Sequence, residues 1–154
     1  MKVEAVLRTK GSRVATTRPD VTVATVIHRL KVENIGALVV SADERTMIGL
    51  VSERDIIRGL ADRGPVLLEE TVDQVMSREV PTCGPQDLLT DVMIKMTRSR
   101  CRHVPVLQAG RLAGIVSIGD VLMHRLRELE SETEVLRDAV YIWPHVDQGV
   151  APRD

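Results

Sequence analysis

The sequence predicts an α+β fold: two copies of one strand-helix-hairpin-helix unit, packed with pseudo-twofold symmetry and followed by a C-terminal helical extension. Three observations predict it. Gly-aliphatic-Val-Ser-x-x-Asp is written twice, as "GLVSERDI" at 49–56 and "GIVSIGDV" at 114–121. A shift of 66 residues lays Pro19 on Pro85, and it lays Val23, Val26, Ile27 and Leu30 on Leu89, Val92, Met93 and Met96. Both sets have the i, i+3, i+4, i+7 spacing of one buried helix face. Each face is followed by two apolar runs around a polar turn, which is the pattern of a β-hairpin.

The first unit, 1–69, opens on "VEAVL" (3–7), a helical lead-in. A strand before Pro19 comes next, then the helix with Val23, then the hairpin "ALVV" (37–40) and "MIGLV" (47–51). A second helix presents Ile56, Ile57 and Leu60, and Gly64 with Pro65 marks the junction. The second unit, 70–128, repeats this order with the lead-in "VDQVM" (72–76), the hairpin "VPVL" (104–107) and "LAGIV" (112–116), and a helix bearing Val121, Leu122 and Leu126. Its turn around Gly110 is one residue shorter, so the offset falls to 65 at a place where a loop tolerates it.

In the extension, 129–154, a 4-3-4-3-4 stripe continues through Leu122, Leu126, Leu129, Thr133, Leu136 and Val140. Charged residues of "RELESETEVLRD" fill the other positions, so the stripe is expected to meet another subunit rather than its own chain. The end, "YIWPHVDQGVAPRD", has the composition of a mobile tail in which Tyr141 and Trp143 are the docking residues.

A unit of this size buries little alone, so the two copies are expected to face each other and share a core. Two related units then make two related clefts. Composition limits what those clefts take. With 44% hydrophobic and 28% charged residues the chain is globular, and with no Phe, one Tyr and one Trp its core is aliphatic. Aromatic platforms for single-stranded nucleic acid are absent from the body, and a net charge of -1 argues against a polyanion-binding surface. The charged start "MKVEAVLRTKG" is no signal peptide, and no apolar run is long enough to span a membrane, so a cytoplasmic protein with reduced Cys83 and Cys101 is expected. A Gly-x-Ser-x-Gly elbow, a metal-binding histidine pair and a phosphate-cradling lysine loop are all missing, and no catalytic activity, catalytic cofactor or metal is expected.

Ser-x-x-Asp itself has two readings. It is a capping box, in which each side chain satisfies a backbone N–H of the first helical turn. It is also a place where a helix N-terminus and an aspartate meet, able to hold an anion and both hydroxyls of a ribose.

Together, "TTRPDVTVATVIHRL" and "TCGPQDLLTDVMIKM", "NIGALVV" and "CRHVPVL", and the two Ser-x-x-Asp turns resemble a tandem pair of cystathionine-β-synthase (CBS) domains, the arrangement called a Bateman module. The resemblance covers residues 1 to about 128. It implies a non-catalytic sensor of adenosine nucleotides, usually a disc-like homodimer, that passes occupancy to a protein target. It further implies that Ser52 and Asp55 share a cleft with Thr82, Arg102 and His103, and that Ser117 and Asp120 share the other with Thr16, Gly36 and Ala37.

The residues suggest unequal clefts. Arg102 and His103 stand where the first copy has Gly36 and Ala37, so the Asp55 cleft, with Arg54 beside it, is expected to take the more highly charged ligand. The Asp120 cleft has Ile118 and Gly119 in place of Glu53 and Arg54, suiting a mononucleotide such as AMP. NAD(H) remains an alternative in either cleft, and a ligand-independent dimerisation or scaffold module is the alternative for the whole chain.

Overall fold

The computed structural model describes residues 1–142, with side chains as far as 137. The chain divides after Val121. In copy one, β1 (Thr16–Thr17) runs parallel to β2 (Ala37–Val40), and β2 pairs antiparallel with β3 (Gly49–Ser52). Between β1 and β2 lies α2 (Val23–Glu33). Thr22 caps it by accepting the Thr25 N–H, and Asn34 ends it in the left-handed region at φ 53°. β3 leads without a break into α3 (Glu53–Arg63). The β2–β3 loop is closed by Asp43, whose carboxylate accepts the N–H groups of Arg45 and Thr46.

Copy two repeats the plan with α4 (Leu89–Ser99), β4 (His103–Gln108), β5 (Arg111–Ser117) and the start of α5 (Ile118–Ile142). Its helix also ends on a left-handed residue, Arg100 at φ 49°. The first strand shrinks here to a single parallel bridge from Cys83 to Val106. Two faces are narrower than their periodicity suggests: Ile57 is 66% exposed and Met93 39%, because only α-helical positions turned toward the sheet are covered.

The lead-ins exchange partners. α1 (Val3–Lys10) contributes Val3, Val6 and Leu7 to the core of copy two, beside Leu89, Val92, Val104, Val106 and Val116. In return Val72 and Met76 enter the core of copy one, with Val23, Val26, Leu38 and Val51. The second lead-in is a short 3-10 turn, Val72–Gln74, rather than an α-helix. Thr71 does not cap it, since its hydroxyl bonds the Asp73 carboxylate instead. A third cluster joins the two sheets: Ala37, Val39 and Leu50 from copy one pack with Leu112 and Ile115 from copy two. The shared core therefore consists of one exchanged segment on each side and a seam of aliphatic side chains between the sheets.

From Leu122 onward α5 is described by itself. Leu122, Leu126, Leu129 and Leu136 of its stripe are all exposed. The side chains of Val140 and Tyr141, and everything from Trp143 on, lie outside the described residues. Among the described residues no helix is long and apolar enough to cross a membrane.

Candidate functional site

A cleft of about 210 Å³, open to solvent, is lined by residues of both copies. One wall is the β3–α3 junction. There the Ser52 N–H and hydroxyl both donate to Asp55 Oδ2 at 2.8 Å, and the Asp55 N–H donates to Ser52 Oγ at 3.3 Å. This is a complete capping box. Asp55 Oδ1 turns the other way and accepts the hydroxyl of Ser77, at 3.1 Å, from the second lead-in. A carboxylate offers about four lone-pair sites, so three bonds leave room for one more.

The opposite wall is the segment between α4 and β4, which brings Arg100 and Arg102 to the cleft, facing Arg54 and Arg58 of α3. Arg54 spans the gap, donating to the carbonyl of Arg100 at 2.6 Å. Glu53, Asp55 and Glu79 supply three carboxylates against these four guanidinium groups. His103 closes the inner end, lying so near Gly36 that a Cβ on the glycine would stand 3.0 Å from its Cε1. Burial lowers the pKa of His103 below the ordinary imidazole value, with Lys10 and Arg102 adding to the effect and Glu53 and Asp120 opposing it.

The second Ser-x-x-Asp turn has the same local geometry. Ser117 N–H donates to Asp120 Oδ2 at 2.7 Å, and Asp120 N–H donates to Ser117 Oγ at 3.2 Å. Its surroundings differ, because Lys10 of α1 places its ammonium 2.6 Å from the same Oδ2 and 3.1 Å from the Ile115 carbonyl. Burial alone would raise the Asp120 pKa; the hydrogen bonds from Lys10 and Ser117 outweigh it and hold the carboxyl below its usual range.

The structure thus brings Ser52, Arg54, Asp55, Arg102 and His103 to one cleft, and adds Gly36 to it. Thr82 is not brought in: the lining stops at Pro81, and the Thr82 carbonyl accepts from Lys95 at 2.9 Å. Thr16 is paired with Val39 and lines shallow depressions with Arg29 and Glu44, away from Ser117 and Asp120. Ala37 is buried opposite Ser52 in the β2–β3 ladder, as His103 stands opposite Ser117 in β4–β5. Gly36 moves to the other cleft because residues just before β2 face the α4–β4 segment. Arg58, Ser77, Glu79 and Lys10 were not singled out from the sequence. Arg58 was legible as one helical turn beyond Asp55, whereas Lys10 and Ser77 depend on which sheet each lead-in covers.

The family model for the CBS domain matches the chain twice, over residues 3–62 and 72–127. A solved CBS-domain containing protein of Agrobacterium tumefaciens is 38% identical, superposes with a TM-score of 0.79, and covers 81% of this chain and 99% of its own. A 17.7 kDa protein of Acidianus ambivalens is 32% identical over 121 residues, 75% of this chain and 72% of that protein. Other relatives are longer: the chain spans 42% of a Methanocaldococcus jannaschii protein and 59% of the mitochondrial CBS domain-containing protein CBSX3 of Arabidopsis thaliana, each at 31% identity and over 77% and 76% of this chain. The CBS domain pair of protein MJ0100, solved in complex with 5′-methylthioadenosine and S-adenosyl-L-methionine, shares the fold at 24% identity, with a TM-score of 0.70 over 82% of this chain and 98% of that one.

Proposed function

Because this chain belongs to the CBS-domain family, its two repeats forming one CBS pair, we propose that it is a non-catalytic sensor of adenosine nucleotides. The observation that carries the reading is the cleft between the repeats, where the Asp55 carboxylate faces Arg54, Arg58, Arg100 and Arg102. A ribose exchanges its hydroxyl for that of Ser77 on Asp55 Oδ1, and the guanidinium groups take the phosphates. At the inner end the His103 imidazole packs against Gly36 and closes the cleft. Four guanidinium groups against three carboxylates favour AMP, ADP, ATP or NAD(H) over a cationic sulfonium such as S-adenosyl-L-methionine.

Occupancy is passed on by a difference in ligand affinity between two states of a homodimer, to which the exposed leucines of α5 contribute. A protein partner downstream reads that difference. Isothermal titration of nucleotide-stripped protein with AMP, ATP and NADH tests the reading. Saturable binding that disappears in Asp55→Ala supports it. The second reading, a ligand-independent scaffold, is favoured by the completeness of both capping boxes, and an absence of heat with all three ligands would select it.

A further inference from the structure

The two carboxylates at the ends of β3 and β5 are chemically alike but differently engaged. Asp55 is met by a neutral hydroxyl, that of Ser77, whereas Asp120 is met by an ammonium, that of Lys10. The cause lies in the exchanged lead-ins. The second lead-in unwinds after its 3-10 turn, and Ser77 bridges Leu50 through backbone hydrogen bonds, 2.9 Å in both directions. The first lead-in stays helical through Lys10. Lys10 lies seven residues beyond Val3 and four beyond Val6, on the face that enters the core of copy two, so the helix delivers its side chain to the mouth of the second turn. There Lys10 bonds the carbonyl of Ile115, the residue matching Leu50, and the Asp120 carboxylate together.

We propose that Lys10 is a built-in occupant of the second turn, so that the chain holds one adenosine nucleotide, at Asp55, and the Asp120 turn opens only when Lys10 is withdrawn. This rests on the nucleotide reading of the first cleft. Replacing the Ser77 hydroxyl by a ribose hydroxyl exchanges one neutral hydrogen bond for another. Lys10 and Ser117 both engage Asp120 Oδ2, so a sugar hydroxyl bound for Oδ1 meets an ammonium already held between that carboxylate and the Ile115 carbonyl; displacing it breaks a charge-assisted bond that a neutral hydroxyl does not repay. Lys10 therefore determines the stoichiometry.

The test is calorimetric titration of the full, nucleotide-stripped chain with AMP, alongside Lys10→Met, Lys10→Arg and Lys10→Gln. The expected result is one AMP per chain in the wild type, abolished by Asp55→Ala and retained in Asp120→Ala. Lys10→Met is expected to bind two, the second lost again when Asp120→Ala is added, while Lys10→Arg stays at one. Lys10→Gln, which keeps a donor without the charge, repeats the experiment should the methionine variant fold poorly. Two equivalents in the wild type, or one in every Lys10 variant, would overturn the proposal while the nucleotide reading stands. Silence in all proteins overturns both.

Discussion

Gly49 and Met76 meet across the boundary between repeats: a Cβ on Gly49 would stand 2.8 Å from the Met76 Sδ and 2.8 Å from the Ser77 carbonyl oxygen. Gly114 makes the matching approach to Leu7, where the nearest atom to an added Cβ is the flexible Leu7 Cδ2 at 2.5 Å. This explains why the repeated motif begins with glycine in both copies, since each exchanged lead-in lies directly on it. The Ser77 carbonyl that meets Gly49 is fixed because it accepts the Leu50 N–H and cannot yield, whereas the Leu7 side chain can rotate. Gly49→Ala is therefore expected to destabilise by ~1–3 kcal/mol, the usual cost of overpacking, and Gly114→Ala by less. Urea denaturation of the two variants gives the order, and equal losses would contradict the account.

Leu67 lies in the 3-10 segment Gly64–Glu69 that joins the repeats, and it is fully buried in the core of copy one. It packs against Gly59 of α3, where an added Cβ would come within 2.8 Å. The connection is thus a core element and not a free linker. Leu67→Ala is expected to cost ~2–5 kcal/mol by cavity formation, and a loss near zero in equilibrium unfolding would show that the segment is dispensable.

Capping and ligand binding at the first turn are separable by mutation. Ser52→Ala removes the hydroxyl that accepts the Asp55 N–H but leaves the Asp55 carboxylate on the Ser52 N–H. It is expected to lower stability by ~1 kcal/mol, with AMP affinity reduced only a few-fold. Asp55→Ala removes the carboxylate and is expected to abolish AMP binding while costing a similar amount of stability. Thermal melts paired with titrations check both, and full-affinity binding in Asp55→Ala would exclude the aspartate as the sugar's partner.

The repeat, the hairpins and the Ser-x-x-Asp turns were legible because each is written locally, in a period or a turn residue. The two caps form as their spacing requires, and the seam of Ala37, Val39, Leu50, Leu112 and Ile115 is the shared core that two small units need. Which sheet a lead-in covers was not legible. "VEAVL" and "VDQVM" carry the same apolar pattern and fit either sheet, so only the full chain path decides the exchange. The contacts that depend on it were hidden as well: Lys10 at Asp120 and Ser77 at Asp55. Thr16 was placed by the family resemblance; in the structure it pairs with Val39 and its carbonyl accepts from the Arg29 guanidinium.

The two thiols differ in access more than in chemistry. Burial, with Asp87 adding to it and Lys95 opposing, pushes Cys83 up to about 11, and burial also raises Cys101. Thiolate is the reactive form, so both are expected to alkylate slowly at neutral pH. Cys101 is half-buried at the rim of the cleft while Cys83 is buried under β4, so iodoacetamide is expected to label Cys101 first and Cys83 only on unfolding. Peptide mass spectrometry reads the order, and early labelling of Cys83 would mean that the β4 edge opens in the native state.

The cluster of His103, Lys10 and Asp120 makes stability depend on pH in a direction that can be worked out. Burial is the main cause of the lowered His103 pKa, so the folded protein releases a proton that the unfolded chain keeps up to about 6.5. The unfolded state then binds more protons between those two values, and stability rises with pH across that window. It is present in full above about 6.5 and lost as pH falls toward the folded value. Asp120, whose folded pKa is lowered, contributes stability that is present above 3.8 and is lost at still lower pH. Urea midpoints from pH 8 to 5 are expected to fall through the upper window in the wild type and to flatten there in His103→Gln. A slope unchanged by that substitution, or a midpoint that rises on acidification, would show that His103 is not the titrating group.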